Sequence, residues 1–197
     1  IGKFQVYNVI ASASICIALG MDSNLIFKSL GYLKPARGRM EVLSETKNNA
    51  LVIIDYAHSP DALISALKSI QEITDRGRII TLFGCGGDRD KDKRQIMGKL
   101  AYEYSDIVIV TDDNPRNETP SIIRKEILIG CPYATEIPNR DKAIKYAISN
   151  LQKNDLLLIA GKGHETFQAI GVETLPFDDY TVAKEAIKNF ENSEVIN

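Results

Sequence analysis

Apolar and polar positions follow two rhythms along this chain. Short, nearly unbroken apolar runs at 51–54, Ile79–Phe83, Ile107–Val110 and Leu156–Ala160 read as strands buried on both faces. Between them apolar residues recur at helical spacing. A helix is expected after Ser59, a capping residue followed by Pro60 in the first turn, with Leu63, Leu67 and Ile70 on one face. Further helices are expected over 94–104, 120–129 and 143–151, with a short strand at 135–137. The tail predicts a hairpin, 167–170 turning at Gly171 into 172–175, and a closing helix that presents Val182, Ala186, Ile187 and Phe190 on one side. Strands alternating with amphipathic helices predict an α/β fold of Rossmann-like topology: a mostly parallel sheet with helices on both faces.

The first third departs from that alternation. Residues 8–19 and 22–33 predict two helices, punctuated by Gly20 and the Asp22-Ser23 pair, and they read as an attachment. After Pro35 a strand over 40–45, a polar turn at Lys47-Asn48-Asn49 and a second strand over 51–54 are expected. A boundary near Arg37 therefore divides residues 1–37 from a domain over 38–197.

Composition narrows the class. The 197 residues carry 24 Lys plus Arg against 26 Asp plus Glu, a formal charge of -2 with no basic stripe, which argues against nucleic acid as a partner. The three cysteines, Cys16, Cys85 and Cys131, are widely spaced in apolar or glycine-rich surroundings, which fits a reducing compartment better than a disulfide framework. No run approaches membrane-spanning length and no signal peptide is evident, so a cytoplasmic protein without membrane insertion is expected.

The unusual residues sit where strands end. Asp55-Tyr56-Ala57-His58-Ser59-Pro60-Asp61 follows the first buried strand and could hold a ribose hydroxyl and phosphates beside a helix N-terminus, or simply cap that helix. Gly84-Cys85-Gly86-Gly87-Asp88-Arg89 lets a ligand approach the backbone, yet it lacks the Gly-Lys-Ser/Thr ending of a Walker A loop. Arg89 with Lys91, Lys93 and Arg94 could serve anionic groups, although for the last three a solvated charged loop is the preferred reading. Thr111-Asp112-Asp113-Asn114-Pro115-Arg116 offers a planar guanidinium for a carboxylate and acceptors for an ammonium, the complement of a zwitterion; a capped turn is the equal alternative. Gly161-Lys162-Gly163-His164-Glu165 could bring amides and Glu165 onto one polar ligand, or form a tight turn. The chain's two histidines, His58 and His164, both lie just beyond apolar strands, where doubly wound folds gather ligand contacts.

Taken in order, Gly38-Arg39-Met40-Glu41, Asp55 to Asp61, Gly86-Gly87-Asp88-Arg89-Asp90, Asp113-Asn114-Pro115-Arg116 and Gly161-Lys162-Gly163-His164-Glu165 resemble the C-terminal domain of the Mur ligases, most of all its diaminopimelate-adding branch. The resemblance spans roughly residues 2–190. It implies that residues 1–37 are the closing helices of a central ATPase domain, with Gly2-Lys3-Phe4-Gln5-Val6-Tyr7-Asn8 near the nucleotide. By the same resemblance Arg89, Asp113, Asn114, Pro115, Arg116, Gly161 and Glu165 bind meso-diaminopimelate, with Arg116 on its distal carboxylate. Asn8, Arg39, Asp55, Tyr56 and His58 surround ATP, and of these His58 is the one candidate for a catalytic role. Lysine-adding relatives lack the arginine of the Asp-Asn-Pro-Arg motif, so Arg116 points to a substrate with a second carboxylate.

The activity so implied is amide formation in peptidoglycan synthesis. ATP, with Mg2+, phosphorylates the D-glutamyl carboxylate of UDP-N-acetylmuramoyl-L-alanyl-D-glutamate, and the amine of diaminopimelate attacks the acyl phosphate. The family's Walker A loop, magnesium ligands, modified lysine and UDP-sugar domain have no counterpart in these residues, so the chain reads as part of a longer monomeric enzyme and as inactive alone. Gln5 stands where the family has asparagine and receives no role. Another Mur or folylpolyglutamate-type ligase domain, or a non-enzymatic amino-acid-binding module, are the alternatives.

Overall fold

The computed structural model describes residues 3–46, 48–73 and 77–193. Gly2 and Lys47 lie outside them. Two helices open the chain, α1 (Lys3–Ala18) and α2 (Ser23–Leu30), and the Asp22 carboxylate caps the second by accepting the Asn24 amide at 2.8 Å. Strands β1 (Glu41–Glu45) and β2 (Leu51–Asp55) follow, then α3 (Pro60–Gln71), β3 (Ile79–Phe83), α4 (Asp92–Tyr104), β4 (Ile107–Val110), α5 (Pro120–Leu128), β5 (Thr135–Glu136), α6 (Arg140–Ser149) and β6 (Leu156–Ala160). A hairpin of β7 (Phe167–Ile170) and β8 (Glu173–Pro176) precedes α7 (Asp179–Ser193).

The main sheet has the order β1-β2-β6-β3-β4-β5. Only β1 is antiparallel; β2, β6, β3, β4 and β5 run parallel, as β-α-β alternation requires. Side chains alternate across each strand, so one run of sequence feeds two cores. Ile53, Phe83, Val108, Val110, Leu156 and Leu158 pack under α3, α4 and α5 with Leu63, Leu67, Met97, Ile123 and Ile127. Val52, Ile54, Ile80, Leu82, Leu157 and Ile159 face α6 and α7 with Ile144, Ile148, Ala183 and Ile187. The central strands β3 and β6 are buried at every position, which is why they read as nearly unbroken apolar runs, Thr81 being the one polar residue in them.

Chain order reverses around β6. The connections through α3, α4 and α5 run outward on one face, and α6 returns on the other to insert β6 between β2 and β3. That reversal gathers the loops after β2, β3, β4 and β6 at one carboxyl edge. Helix boundaries depart modestly from the sequence expectation. Helix α6 begins at Arg140, not 143, because the Asn139 side chain caps it through the Lys142 amide at 2.9 Å, and α4 begins at Asp92. Periodicity marks only buried turns, so polar first turns escape it. In the other direction, α2 stops at Leu30, whereas the apolar pattern runs on to Leu33.

Candidate functional site

A cavity of about 410 Å³ opens at the carboxyl edge. Its lining brings together Arg89 from the loop after β3, Asp113, Asn114 and Arg116 from the loop after β4, and Gly161 and Glu165 from the loop after β6. These loops are far apart in sequence. The order of β6, β3 and β4 in the sheet makes them neighbours.

Arg116 is set by backbone as much as by side chain. Its φ of 50° is left-handed, uncommon for a residue with a Cβ, and the hairpin clamps it there: the Arg116 amide donates to Ala169 O at 3.0 Å and the Gly171 amide donates to Arg116 O at 2.7 Å. Its Nη1 donates to Gly87 O at 2.8 Å; among the described residues Nη2 and Nε take no partner. Gly87 is required because a Cβ there would fall 1.9 Å from Pro115 O. Pro115 is buried and outside the cavity lining, so its part is to seat this turn. Arg89 is exposed, with only its own neighbour's carbonyl, Asp88 O, on Nη1 at 3.0 Å.

Beneath the rim lies a buried charge network. The Asn114 side-chain carbonyl accepts Lys162 Nζ and the Ala169 amide, both at 3.0 Å, while its Nδ2 donates to Glu165 Oε2 at 2.8 Å. Arg140 and Asp179, both fully buried, pair through two hydrogen bonds of 2.7 Å, and Arg140 Nη2 donates to Ala160 O at 3.0 Å. Burial pushes the Asp113 carboxyl above its ordinary range, against the opposing fields of Arg140 and Lys162. Lys162 belongs to the glycine-flanked turn read from sequence, whereas Arg140 and Asp179 carry no signal there. A charged residue opening a polar helix turn reads as surface, and nothing local marks it as buried.

Three residues depart from the sequence expectation. Asp112 was read as an acceptor for an ammonium, but its carboxylate is bound by Arg124, which also pairs with Glu136 at 2.6 Å, and it does not line the cavity. Arg94 was read as part of a solvated loop. It is fully buried and joins Glu118 at 2.9 and 3.0 Å, Glu126 at 2.6 Å and Gly86 O at 3.2 Å, locking the loop after β3 to the turn beyond Arg116. Lys93 also differs: its ammonium reaches His58 O at 2.7 Å and lines the cavity.

The Arg94 hydrogen bonds hold the Glu118 carboxyl at about 2, against an ordinary 4.5. A depressed folded value means that the stabilisation is complete above pH 4.5 and disappears as pH falls towards 2. Thermal unfolding of Glu118→Gln should therefore show a deficit at pH 4.5 that closes as the pH approaches 2; a deficit independent of pH would refute this assignment.

The remaining candidates divide between the edge of this cavity and a second groove. Tyr56 and His58 line its edge, their rings 4.5 Å apart, with His164 at 5.0 Å from Tyr56 and the Arg39 guanidinium 4.7 Å from the Tyr56 ring centre. Gly38 and Gly163 permit this assembly. A Cβ on Gly38 would lie 2.3 Å from the Gly163 carbonyl carbon. Asn8, Arg39 and Asp55 line the polar end of a separate groove of about 920 Å³ between α1, α2 and α3. Gln5, left without a role by sequence, donates to Arg39 O at 3.4 Å and accepts Asn8 Nδ2 at 3.4 Å. Asp55 accepts the Met40 amide at 2.7 Å and the Ala57 amide at 2.9 Å, so it shapes both loops. Burial raises its carboxyl despite those bonds.

A family model described as the Mur ligase, glutamate ligase domain matches residues 38–163. The UDP-N-acetylmuramoyl-L-alanyl-D-glutamate--2,6-diaminopimelate ligase of Agrobacterium fabrum is 48% identical over 98% of this chain, which covers 40% of that protein. The ligase of the same name from Zymomonas mobilis is 49% identical over 95% of the chain and 39% of its own length. A solved structure of a UDP-N-acetylmuramoyl-L-alanyl-D-glutamate--2,6-diaminopimelate ligase superposes with a TM-score of 0.75 at 37% identity, over 96% of this chain and 39% of that one. The chain thus spans about two fifths of the length of the curated relatives it matches. With the sheet order, the cavity at its carboxyl edge and these likenesses in agreement, the chain belongs to the Mur ligase family.

Proposed function

We propose that this chain is the amino-acid-receiving part of an ATP-dependent ligase that joins meso-diaminopimelate to UDP-N-acetylmuramoyl-L-alanyl-D-glutamate in peptidoglycan synthesis. The observation that carries this reading is the sharing of one cavity by Arg116, Arg89, Asn114 and Glu165. The unpartnered donors of Arg116 suit a carboxylate in two-pronged contact, and Arg89 adds a second cation at the rim. Below them the Glu165 carboxylate lines the same cavity and offers an acceptor to an ammonium. The likeness to diaminopimelate ligases supports the same choice of substrate.

On this reading residues 1–37 close a central ATPase domain and residues 38–197 form the domain that presents the amine. When bound, ATP with Mg2+ supplies the activated acyl phosphate. The cluster of Tyr56, His58, His164 and Arg39, whose rings meet edge-on and tilted, offers aromatic faces and a cation to a nucleotide base or ribose at the neighbouring edge. The cavity residues fix the distal end of the amino acid, and the gain is entropic: a held amine meets the activated carbonyl in one orientation. His58, exposed and with Nδ1 on Tyr56 O at 2.8 Å, lies between nucleotide edge and cavity. We place the enzyme in the cytoplasm as a monomer. Its free cysteines, of which Cys85 is pushed up to about 12 by burial, suit reducing conditions.

The test is phosphate release by the full-length protein with ATP, the muramoyl dipeptide nucleotide and either meso-diaminopimelate or L-lysine. Strong dependence on diaminopimelate is expected, with no turnover by the 197-residue chain alone. Preference for lysine, or turnover by the chain alone, would overturn the reading.

A further inference from the structure

Lys162 is fully buried, yet it lies within the loop that lines the cavity. Its ammonium donates to Asn114 Oδ1 at 3.0 Å and to Glu165 Oε2 at 3.1 Å, and sits 5.6 Å from the centre of the Phe167 ring. Burying an ammonium is costly, and these partners offset that cost. Where the partners lie is informative. Both the Lys162 and the Asn114 hydrogen bonds to Glu165 land on Oε2, and among the described residues Oε1 accepts none. The carboxylate is therefore fastened by one oxygen and offers the other.

We propose that Lys162 is a positioning residue for the amino-acid substrate. Acting through Glu165 and Asn114, it fixes the orientation in which Glu165 Oε1 meets the substrate's ammonium group, and it does not touch the substrate itself. Three features support this over a purely structural role. The lysine is joined to two cavity residues from different loops, one after β4 and one after β6, so it sets their separation. Gly161 and Gly163 flank it with φ of 112° and 52°, a backbone path that turns the Lys162 side chain inward while the loop itself lines the cavity. Its charge also opposes the effect of burial on the neighbouring Asp113 carboxyl.

The inference rests on the proposed diaminopimelate site, and the two can fail separately. In the full-length ligase, Lys162→Met is expected to raise the KM for meso-diaminopimelate about tenfold or more, with kcat at saturating amino acid and the KM for ATP within about twofold of wild type. Glu165→Ala will raise the same KM. Because Lys162 acts through Glu165, adding Lys162→Met to Glu165→Ala should cost no more than about threefold further. Lys162→Gln, which keeps a donor towards Asn114 without the charge, provides a milder variant should the methionine protein fold poorly. Equal losses in both backgrounds, a fall in kcat with KM unchanged, or no effect would overturn the positioning role. A wild-type enzyme that ignores diaminopimelate would instead overturn the site on which it rests.

Discussion

Arg116→Ala in the full-length protein is expected to raise the KM for meso-diaminopimelate about 100-fold or more and to leave the KM for ATP within about twofold. The substitution removes one member of a charged pair in a confined site, a change that typically costs about 2–5 kcal/mol, and each 1.4 kcal/mol or so is tenfold. The selectivity follows from position. Arg116 lies on the loop after β4, whereas the aromatic cluster of Tyr56, His58 and His164 belongs to loops after β2 and β6. Alanine also inherits the left-handed φ of 50°, so Arg116→Lys makes the better control: it keeps the charge and loses the planar fork. Steady-state kinetics with each substrate varied would settle it. Matched losses for amino acid and ATP would show that the loop had collapsed or that Arg116 does something else.

The second large effect concerns stability. Asp179→Ala leaves the Arg140 guanidinium buried without its carboxylate, and removal of one partner of such a pair costs about 3–5 kcal/mol. For a chain of this size each kcal/mol or so lowers the melting temperature by roughly 2–4 °C, so a drop of roughly 6–20 °C is expected in calorimetry. Replacing both residues, Arg140→Leu with Asp179→Leu, should recover most of the loss, because an unpaired charge is what costs. A melting temperature unchanged in Asp179→Ala would mean that Arg140 finds water or Asp113 instead. The pair matters beyond stability: Arg140 also holds Ala160 O, immediately before Gly161, so α7 braces the cavity floor.

The architecture was largely legible in the chain. Strands β3, β4 and β6 matched their apolar runs because a strand buried on both faces carries almost no polar position to blur its limits. The start of α3 was legible because Ser59 and Pro60 act locally, through one side-chain bond and one fixed φ. Candidate ligand residues were legible for a related reason: polar residues directly after buried strands stand out. The sequence also carried the family resemblance, since motifs in order need no geometry.

Pairing across loops was decided only in three dimensions. Asp112 and Asp113 are adjacent and chemically alike, yet one turns to Arg124 on α5 and the other enters the cavity, because successive side chains leaving a strand point to opposite faces. Arg94 read as a solvated charge and Arg140 carried no signal, yet both are buried, since their partners, Glu118 and Asp179, come from 24 and 39 residues away. Lys162 was visible between two glycines, but its role depends on Asn114, 48 residues earlier. Local sequence determines which segments become strands, helices and caps, because those energies are local. Which charges meet, and so what the site can hold, depends on β6 sliding between β2 and β3, which only the assembled sheet decides.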